Sequence, residues 1–316
     1  MSFYISRFKN RESIEFDVEV VTPMFLGGAE KSNAELRVPS IKGMLRFWWR
    51  AMCGIDDLNT MRNEEAKIFG SIDKKSTFAM RIGKTDHLRS VMKNLPQGKK
   101  FEVRSRSRNR SFKLGIIDYL AFGIRDHKKG YTRMHIPAGS KFQLCFDFYT
   151  DEHKKSVLRA FHALIKYGGL GAKSRNGFGS ITVSSKGTGG FEFRGQMKEF
   201  TAVNDKSKLF DQFGVHDGWE DALSEIGMAY KDARLNLEKK HQYDKRLLIA
   251  KPIVQTGSGN ERHAKPYFLH VNKLDNGRYQ GQILFMPYQY YQRNKREKYL
   301  RICEKMNKKI AEAARG

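Results

Sequence analysis

The chain has 316 residues, of which 59 are Lys or Arg and 34 are Asp or Glu, so its formal charge is +25 at pH 7. Such an excess argues for a polyanionic partner, and the 22 Phe and 13 Tyr offer rings for stacking, which favours nucleic acid over a membrane. No apolar run approaches a membrane span and the first ten residues lack a signal-peptide core, so we expect a cytoplasmic protein. Three widely separated cysteines exclude a zinc finger and make a disulfide framework improbable.

The first half of the chain alternates predicted strands with predicted helices. Period-two alternation predicts strands, and apolar residues three and four apart predict helices. In chain order we predict a strand over 13–21, a helix over 40–54, strands over 77–82 and 141–149, a helix over 151–166 and a strand over 179–183. This order predicts a ferredoxin-like α+β sandwich, an antiparallel sheet with two helices on one face. The long gap at 55–140 predicts inserted hairpins and loops.

The second half has a similar but less regular pattern. We predict a helix over 219–240, strands over 246–254, 267–273 and 278–286, and a basic helix after residue 288. The length and this pattern predict two domains, residues 1–188 and residues 189–316, built as tandem ferredoxin-like units of which the second is degenerate. The cations of the last helix are interpreted as a solvated face.

The predicted helix at 40–54 carries a basic face. Lys42, Arg46 and Arg50 recur at spacing four, and no acidic residue lies within the helix to relieve their repulsion. Either a polyanion or open water must face them. Trp48 shares the apolar stripe and is assigned to the core, whereas Trp49 lies beside the cations and is a candidate for stacking on a base or packing on a partner.

A glycine-rich loop follows the predicted helix at 151–166. Its sequence over 168–179 is GGLGAKSRNGFG, and Gly171, Lys173, Ser174 and Arg175 are its candidate binding residues. Glycines allow positive φ and close approach of a phosphate to backbone N–H groups. The loop is not a Walker A motif, because Ala172 separates glycine from lysine and the loop runs from helix to strand. A plain helix-to-strand connection is the alternative interpretation.

Two motifs carry a family resemblance. Residues 21–28 (VTPMFLGG) and 35–50 (ELRVPSIKGMLRFWWR) resemble the start of the first-numbered RAMP subunit of Cmr (type III-B) CRISPR effector complexes. Residues 169–180 (GLGAKSRNGFGS) resemble the glycine-rich loop that marks RAMP proteins. Residues 262–266 (RHAKP) are similar to an Arg-x-x-Ser-Pro segment of that subunit, with Lys265 where serine is usual.

The resemblance implies a non-catalytic RNA-binding subunit without a cofactor. Such a subunit would cap the complex near the 3′ end of the guide RNA, contact the guide–target duplex and dock on other RAMP subunits. Cleavage and cyclic-oligonucleotide synthesis would belong to other subunits. The resemblance also implies that six residues line one RNA groove, namely Lys42, Arg46, Arg50, Lys173, Ser174 and Arg175.

Other cations could extend such a groove. Arg104, Arg106 and Arg108 alternate with small residues, which in an extended chain puts their guanidiniums on one side. A loop that orders on RNA is the alternative interpretation. Arg262 and Lys265 form a further candidate contact.

A guide-processing ribonuclease remains the alternative function, because some RAMP proteins cut guide precursors without metal. His263, between Arg262 and Lys265 in a predicted loop, is the best candidate for acid–base chemistry. The adjacent acids Asp56–Asp57 and Glu64–Glu65 are interpreted as surface charges of a helix rather than metal ligands.

Overall fold

A computed structural model of the chain shows two α+β units. It describes residues 11–28, 33–86, 88–104, 111–126, 130–184, 193–239, 242–250 and 263–316.

The first half of the chain holds eight of the strands and four of the helices in the described residues. In chain order they are β1 (Glu12–Val20), α1 (Val38–Met52), α2 (Leu58–Phe69), β2 (Phe78–Asp86), β3 (Lys100–Arg104), β4 (Ser111–Gly115), α3 (Ile116–Leu120), β5 (Arg125–Asp126), β6 (Gly130–Tyr131), β7 (Lys141–Phe148), α4 (Lys154–Tyr167) and β8 (Ile181–Val183).

The first unit has the predicted ferredoxin-like topology. Its antiparallel sheet has the strand order β2–β7–β1–β8, so the last strand lies beside the first. Alternation in β1 buries Phe16, Val18 and Val20. Helices α1 and α4 pack on each other and on this face, where the Phe16 and Phe161 rings lie 4.8 Å apart.

The second half adds a smaller unit. Its elements are β9 (Lys208–Phe210), β10 (Val215–His216), α5 (Trp219–Leu235), α6 (Asp244–Ile249), β11 (Tyr267–Lys273), β12 (Tyr279–Phe285) and α7 (Arg296–Arg315), with a 3-10 turn at Arg293–Lys295. Strand β12 pairs with β11 on one side and with both β9 and β10 on the other. The described residues of this unit contain the first three strands and both helices of a ferredoxin-like fold but no fourth strand, which fits the predicted degenerate copy.

The inserted segment between β2 and β7 packs on the second unit. It forms the hairpins β3–β4 and β5–β6 with α3 between them. Ile116, Ile117 and Leu120 are fully buried in the same core as Leu223 and Ile226 of α5. Conversely, Phe268 and Leu284 of the second unit belong to the core of the first. Each of the two cores therefore contains residues from both sides of residue 188.

The predicted strand at 246–254 is wrong over its described residues, where α6 forms instead. A short apolar run such as 247–249 does not by itself distinguish strand from helix. The Glu238 carboxylate accepts hydrogen bonds from the backbone N–H groups of Lys245 and Arg246, at 2.9 and 3.1 Å, and so caps the first turn of α6. Leu248 and Ile249 then join the core beside α7.

Three predicted helix ends also differ. Helix α1 starts at Val38 with a proline in its first turn, so Ser40 lies inside the helix and is not its N-cap. Helix α5 ends at Leu235, and α7 begins at Arg296 rather than directly after residue 288.

Candidate nucleic-acid interface

Two of the three basic residues on α1 are paired within the chain. Glu65, on α2, accepts contacts from Arg50 Nε at 2.7 Å and from Arg46 Nη1 at 3.4 Å. Arg46 Nη2 also donates to the carbonyl oxygens of Phe69 and Gly70, at 3.1 and 2.8 Å. The neighbouring helix therefore relieves the repulsion on α1. Asp57, which caps α2 through the backbone N–H of Thr60, was the signal in the sequence for this helix.

Lys42 lies in a depression between α1 and α2 that Arg46 and Glu65 also line. Its ammonium is 5.0 Å from the centre of the Phe78 ring, and burial together with Arg46 lowers its pKa. The depression has a volume of about 640 Å³ and is also lined by Arg62 and Lys74. Lys42 and Arg46 thus face α2.

Trp49 does not offer its ring to a ligand. Only 8% of its surface is exposed, and its ring packs edge-on against Phe69 at 6.3 Å. Trp48 is in the core as predicted, at 1% exposure. The prediction of Trp49 as a base-stacking residue is therefore wrong, because α2 covers the face that the α1 sequence alone leaves open.

The glycine loop is held tightly against the segment that follows β1. Ala172 N donates to Phe25 O at 2.8 Å, and Gly179 N donates to Pro23 O at 3.0 Å. Gly171 has φ +87°, and a Cβ on it would lie 2.5 Å from Phe25 O. The sequence predicted that a phosphate approaches the backbone of this loop. At Gly171 it is instead the backbone of Phe25 that lies close, and only glycine leaves room for it.

The same loop joins the two units. Arg175 O accepts the backbone N–H of Leu269 in β11 at 3.2 Å, and His270 Nδ1 donates to Gly168 O at 2.7 Å. Val271 N donates to Ser180 Oγ at 3.3 Å. The loop residues consequently lie at the junction of the two sheets.

Arg175 and Lys265 brace this junction. Arg175 Nη1 donates to Lys265 O at 2.9 Å, and its guanidinium lies against the rings of Phe268 and Phe47 at 4.7 and 5.4 Å. Lys265 Nζ donates to Asn176 Oδ1 at 2.6 Å and lies 4.2 Å from the Tyr230 ring centre. Both side chains thus make contacts within the protein, whereas the sequence analysis named them as candidate contacts with RNA.

Lys173 is the more available cation of the loop. It is the single non-glycine residue with positive φ in the described chain, at +63°, a conformation that costs about 1 kcal/mol and that is typical of functional sites. Burial and the nearby Arg133 lower its pKa. Among the described residues, no carboxylate pairs with Lys173 or Arg133.

Like charges dominate the junction. Burial lowers the pKa of Lys265 well below its ordinary value, and Arg175, Arg234 and Lys173 lower it further. Arg234 donates to Tyr119 Oη at 3.3 Å, while its Nε has no hydrogen-bond partner in the described structure. Neighbouring cations thus lower the pKa of both Lys265 and Lys173, and such a concentration of positive charge favours the binding of an anion. We refer to Arg133, Lys173, Arg175, Arg234 and Lys265 as the junction cluster.

Comparison with known proteins identifies the family. Residues 17–182 match the model of the RAMP superfamily. The chain belongs to this superfamily.

Two Cmr subunits of the CRISPR system of one organism are similar to this chain. The Cmr subunit Cmr1-2 of the CRISPR system of Pyrococcus furiosus is 26% identical over 182 residues, covering 53% of this chain and 93% of that protein. Cmr1-1 of the same organism is 27% identical over 196 residues, covering 60% of this chain but only 53% of its own length.

Solved structures agree on the fold. The apo crystal structure of Cmr1 from Pyrococcus furiosus has a TM-score of 0.57 at 20% identity, with 89% of each chain covered. A chain of the type III-B Cmr-beta complex bound to cognate target RNA and AMPPnP has a TM-score of 0.50 at 13% identity, covering 94% of this chain and 99% of that one. At such identities the likeness shows a shared RAMP fold.

Several predicted contacts of this RAMP protein lie outside the described residues. These are Arg106, Arg108 and Arg262. Arg104 ends β3, where it pairs with Ser111, so the arginine-rich segment connects the two strands of a hairpin. Ser174 is half-buried in the loop, and its carbonyl accepts the N–H of Gly177 at 3.4 Å.

His263 is not in an accessible loop position in this RAMP chain. It is 6% exposed, and its ring lies 4.5 Å from Tyr290, 4.6 Å from Tyr288 and 5.0 Å from Tyr299. Burial and then Arg175 lower its pKa to about 4. The structure therefore places this candidate for acid–base chemistry in a buried cluster of tyrosine rings and not in an open loop.

The acidic pairs have structural partners. Besides Asp57 and Glu65, Asp56 accepts the N–H of Glu199 at 3.2 Å and Glu64 pairs with Lys67 at 2.6 Å. Within the described residues, no group of three His, Cys, Asp or Glu side chains is arranged to hold a metal ion, and no helix is long and apolar enough to span a membrane.

Proposed function

We propose that this RAMP protein is the Cmr1-type subunit of a cytoplasmic type III-B effector complex, in which it binds guide and target RNA without cleaving them. The likeness to Cmr1-1 and Cmr1-2 supports the assignment to such a complex. The observation that carries RNA binding is the junction cluster, whose cations lack compensating carboxylates at Lys173 and Arg133 in the described chain.

Two pairs of residues in the cluster have different roles, while Arg234 donates to Tyr119 Oη. Arg175 and Lys265 fix the loop between the units through hydrogen bonds and ring contacts. Lys173 and Arg133 then present their charges to RNA phosphates from a rigid support. Phosphate contacts of this kind fix the position of an RNA strand and carry little sequence information, so we expect weak base preference.

The position in the complex follows the family resemblance. We propose that the chain caps the assembly near the 3′ end of the guide RNA and docks on neighbouring RAMP subunits. The predicted arginine-rich segment between β3 and β4 would add contacts to the same RNA.

Reconstitution tests this proposal. The chain is combined with the remaining Cmr subunits and guide RNA, and the affinity of guide and target is measured for the wild type and for Arg133→Ala/Lys173→Ala. We expect the double variant to lose about tenfold or more in affinity, equivalent to about 1.4 kcal/mol per tenfold. Lys305→Ala/Lys308→Ala is the control, because it removes two exposed lysines from α7. Failure to join the complex, or full affinity in the double variant, would contradict the proposal.

Non-catalytic behaviour has its own test. The purified chain is incubated with a repeat-containing guide precursor, with and without EDTA. We expect no site-specific cleavage. Cleavage that His263→Ala abolishes would instead establish the ribonuclease alternative.

A further inference from the structure

An exposed phenylalanine lies in the turn that follows α3. Phe122 is 62% exposed, more than any other aromatic residue in the described chain. The turn is ordered by hydrogen bonds from Phe122 N to Tyr119 O at 3.3 Å and from Ile124 N to Ala121 O at 3.0 Å. Ala121 and Ile124, on either side of the ring, are buried. The core thus presents Phe122 to solvent on a rigid support.

This turn is continuous with the glycine loop. Asn176 Nδ2 donates to Leu120 O at 2.7 Å, which ties the loop to the end of α3. A Cβ built on Gly123 would lie 3.5 Å from Lys173 Nζ, so the lysine amine reaches the residue next to Phe122. The exposed ring and the most available cation of the junction cluster therefore share one surface.

The nearby acids do not neutralise this surface. Asp118 is buried, with its carboxylate 2.9 Å from Arg125 Nε and 3.2 Å from the Tyr131 hydroxyl, which fixes the β5–β6 hairpin. Arg133 follows that hairpin and lies close enough to lower the pKa of Lys173. Lys173 thus lies beside the residue that follows Phe122, and Arg133 lies near Lys173.

We propose that Phe122 stacks on an unpaired RNA base while Lys173 and Arg133 hold the adjoining phosphates. The inference rests on the proposed RNA-binding function and deepens it, since it makes a single-stranded nucleotide the ligand of this surface. An aromatic platform beside cations is the arrangement by which proteins bind single strands, because every base has a π-face and every linkage a charge. A base already stacked in a duplex does not need such a platform.

Abasic RNA tests the stacking directly. A set of single-stranded RNAs, each lacking one base at a different position, is titrated with the wild type and Phe122→Ala. We expect one abasic position to weaken wild-type binding about fivefold to a hundredfold, and Phe122→Ala to weaken binding of the intact RNA to the same degree. Combining the two changes should produce no further loss, because each removes the same contact. Phe122→Trp should restore binding.

The control and the contrary outcomes separate this inference from the proposed function. Tyr149→Ala is the control, because it removes another exposed aromatic side chain. Tyr149 follows β7 at the end that pairs with Glu12, the first residue of β1, whereas the glycine loop contacts the segment after the last residue of β1. This variant should keep the wild-type RNA affinity. If Arg133→Ala/Lys173→Ala weakens RNA binding but Phe122→Ala does not, the stacking role is wrong and the RNA site stands. If Phe122→Ala reduces only the association with other subunits, the ring is a protein-docking residue and the inference is overturned. If the wild-type chain alone binds no single-stranded RNA, the stacking inference fails, whereas the proposed function is still decided by the reconstituted complex.

Discussion

Arginine often binds phosphate, but Arg46 and Arg175 make contacts within this protein that hold parts of its own structure together. Arg46 links α1 to the C-terminal end of α2 through two carbonyl oxygens and Glu65. Arg175 links the glycine loop to the segment before β11. Arginine suits both positions, because its planar fork donates several fixed hydrogen bonds while stacking on rings. Lys173 has no such partners in the described structure, and it is the loop cation that we propose holds an RNA phosphate.

Trp49→Ala tests the assignment of this ring to the core. Removing a buried tryptophan leaves a cavity, so we expect the free energy of unfolding to fall by about 3–5 kcal/mol. RNA affinity of the folded variant should stay at the wild-type value. Urea denaturation and RNA titration at a temperature where the variant is folded provide both measurements. Unchanged stability with weakened RNA binding would contradict the structure.

His270 predicts a loss of stability in acid. Burial lowers its pKa from an ordinary 6.5 to about 4, and this effect outweighs the hydrogen bonds with Gly168 O and with the Asn272 side chain, which raise the pKa. The unfolded chain therefore binds more protons than the folded chain between these two pH values. Stability is lost as the pH falls from about 6.5 towards 4, by up to about 3 kcal/mol for this residue.

His270→Asn should remove this component, since an amide donates to Gly168 O without titrating. Urea unfolding at pH 7 and at pH 4.5 measures it, and the variant should lose less stability between the two than the wild type. The remaining acid sensitivity should reflect His263, whose pKa is also about 4. Equal losses in the variant and the wild type would show that His270 is not buried neutral.

At the scale of elements, the spacing of apolar residues predicted helices and strands correctly where one face of the element packs on the core. The alternation of β1 and the apolar seam of α4 predicted both elements, and β11 has the predicted bounds of 267–273. Helix α6 was mistaken for a strand because its short apolar run fits both structures, and only the tertiary contact with Glu238 decides between them.

Some features of the candidate site could likewise be predicted from the sequence, and others depend on how the elements pack. The glycine loop and its cations could be predicted from the sequence, because five glycines together with a lysine and an arginine within twelve residues are unusual. Their partners were not visible, since the pairing of Arg50 with Glu65 and the burial of Trp49 depend on α2 packing against α1. Phe122 and Arg133 had no local signal and became candidates only when the insertion was placed beside the loop.

Gly171→Ala tests how the glycine loop is built. The new Cβ would lie 2.5 Å from Phe25 O, and the residue would keep a positive φ, so we expect a loss of about 2–4 kcal/mol in unfolding free energy. Gly277→Ala is a matched control, since Gly277 has φ +79° with nothing within 4 Å of its Cβ position. It should lose only about 1 kcal/mol from backbone strain. Equal effects would show that the loop does not approach Phe25 as closely as the structure has it.

At the scale of the whole molecule, the insertion and the shared cores join the two units. The insertion buries Ile116, Ile117 and Leu120 against α5, and the first core takes Phe268 and Leu284 from the second unit. An isolated first unit would expose these surfaces. The glycine loop lies in the middle of this arrangement, so RNA bound there would contact both units.

We therefore predict that the full chain unfolds in a single cooperative transition. A fragment of residues 1–188 should be much less stable than the same residues in the full chain and should expose apolar surface. Thermal unfolding followed by circular dichroism, together with dye binding, measures both properties. Two separate unfolding transitions in the full chain, one of them at the midpoint temperature of the fragment, would show that residues 1–188 fold as an independent domain.

The salt dependence of RNA binding tests the central claim most directly. Each phosphate held on single-stranded RNA contributes about −0.7 to the slope of log affinity against log salt. Arg133→Ala/Lys173→Ala should therefore bind more weakly and make the slope shallower by about 1.4, whereas Lys305→Ala/Lys308→Ala should keep the wild-type slope. An unchanged slope in Arg133→Ala/Lys173→Ala would show that the junction cluster does not hold the RNA backbone.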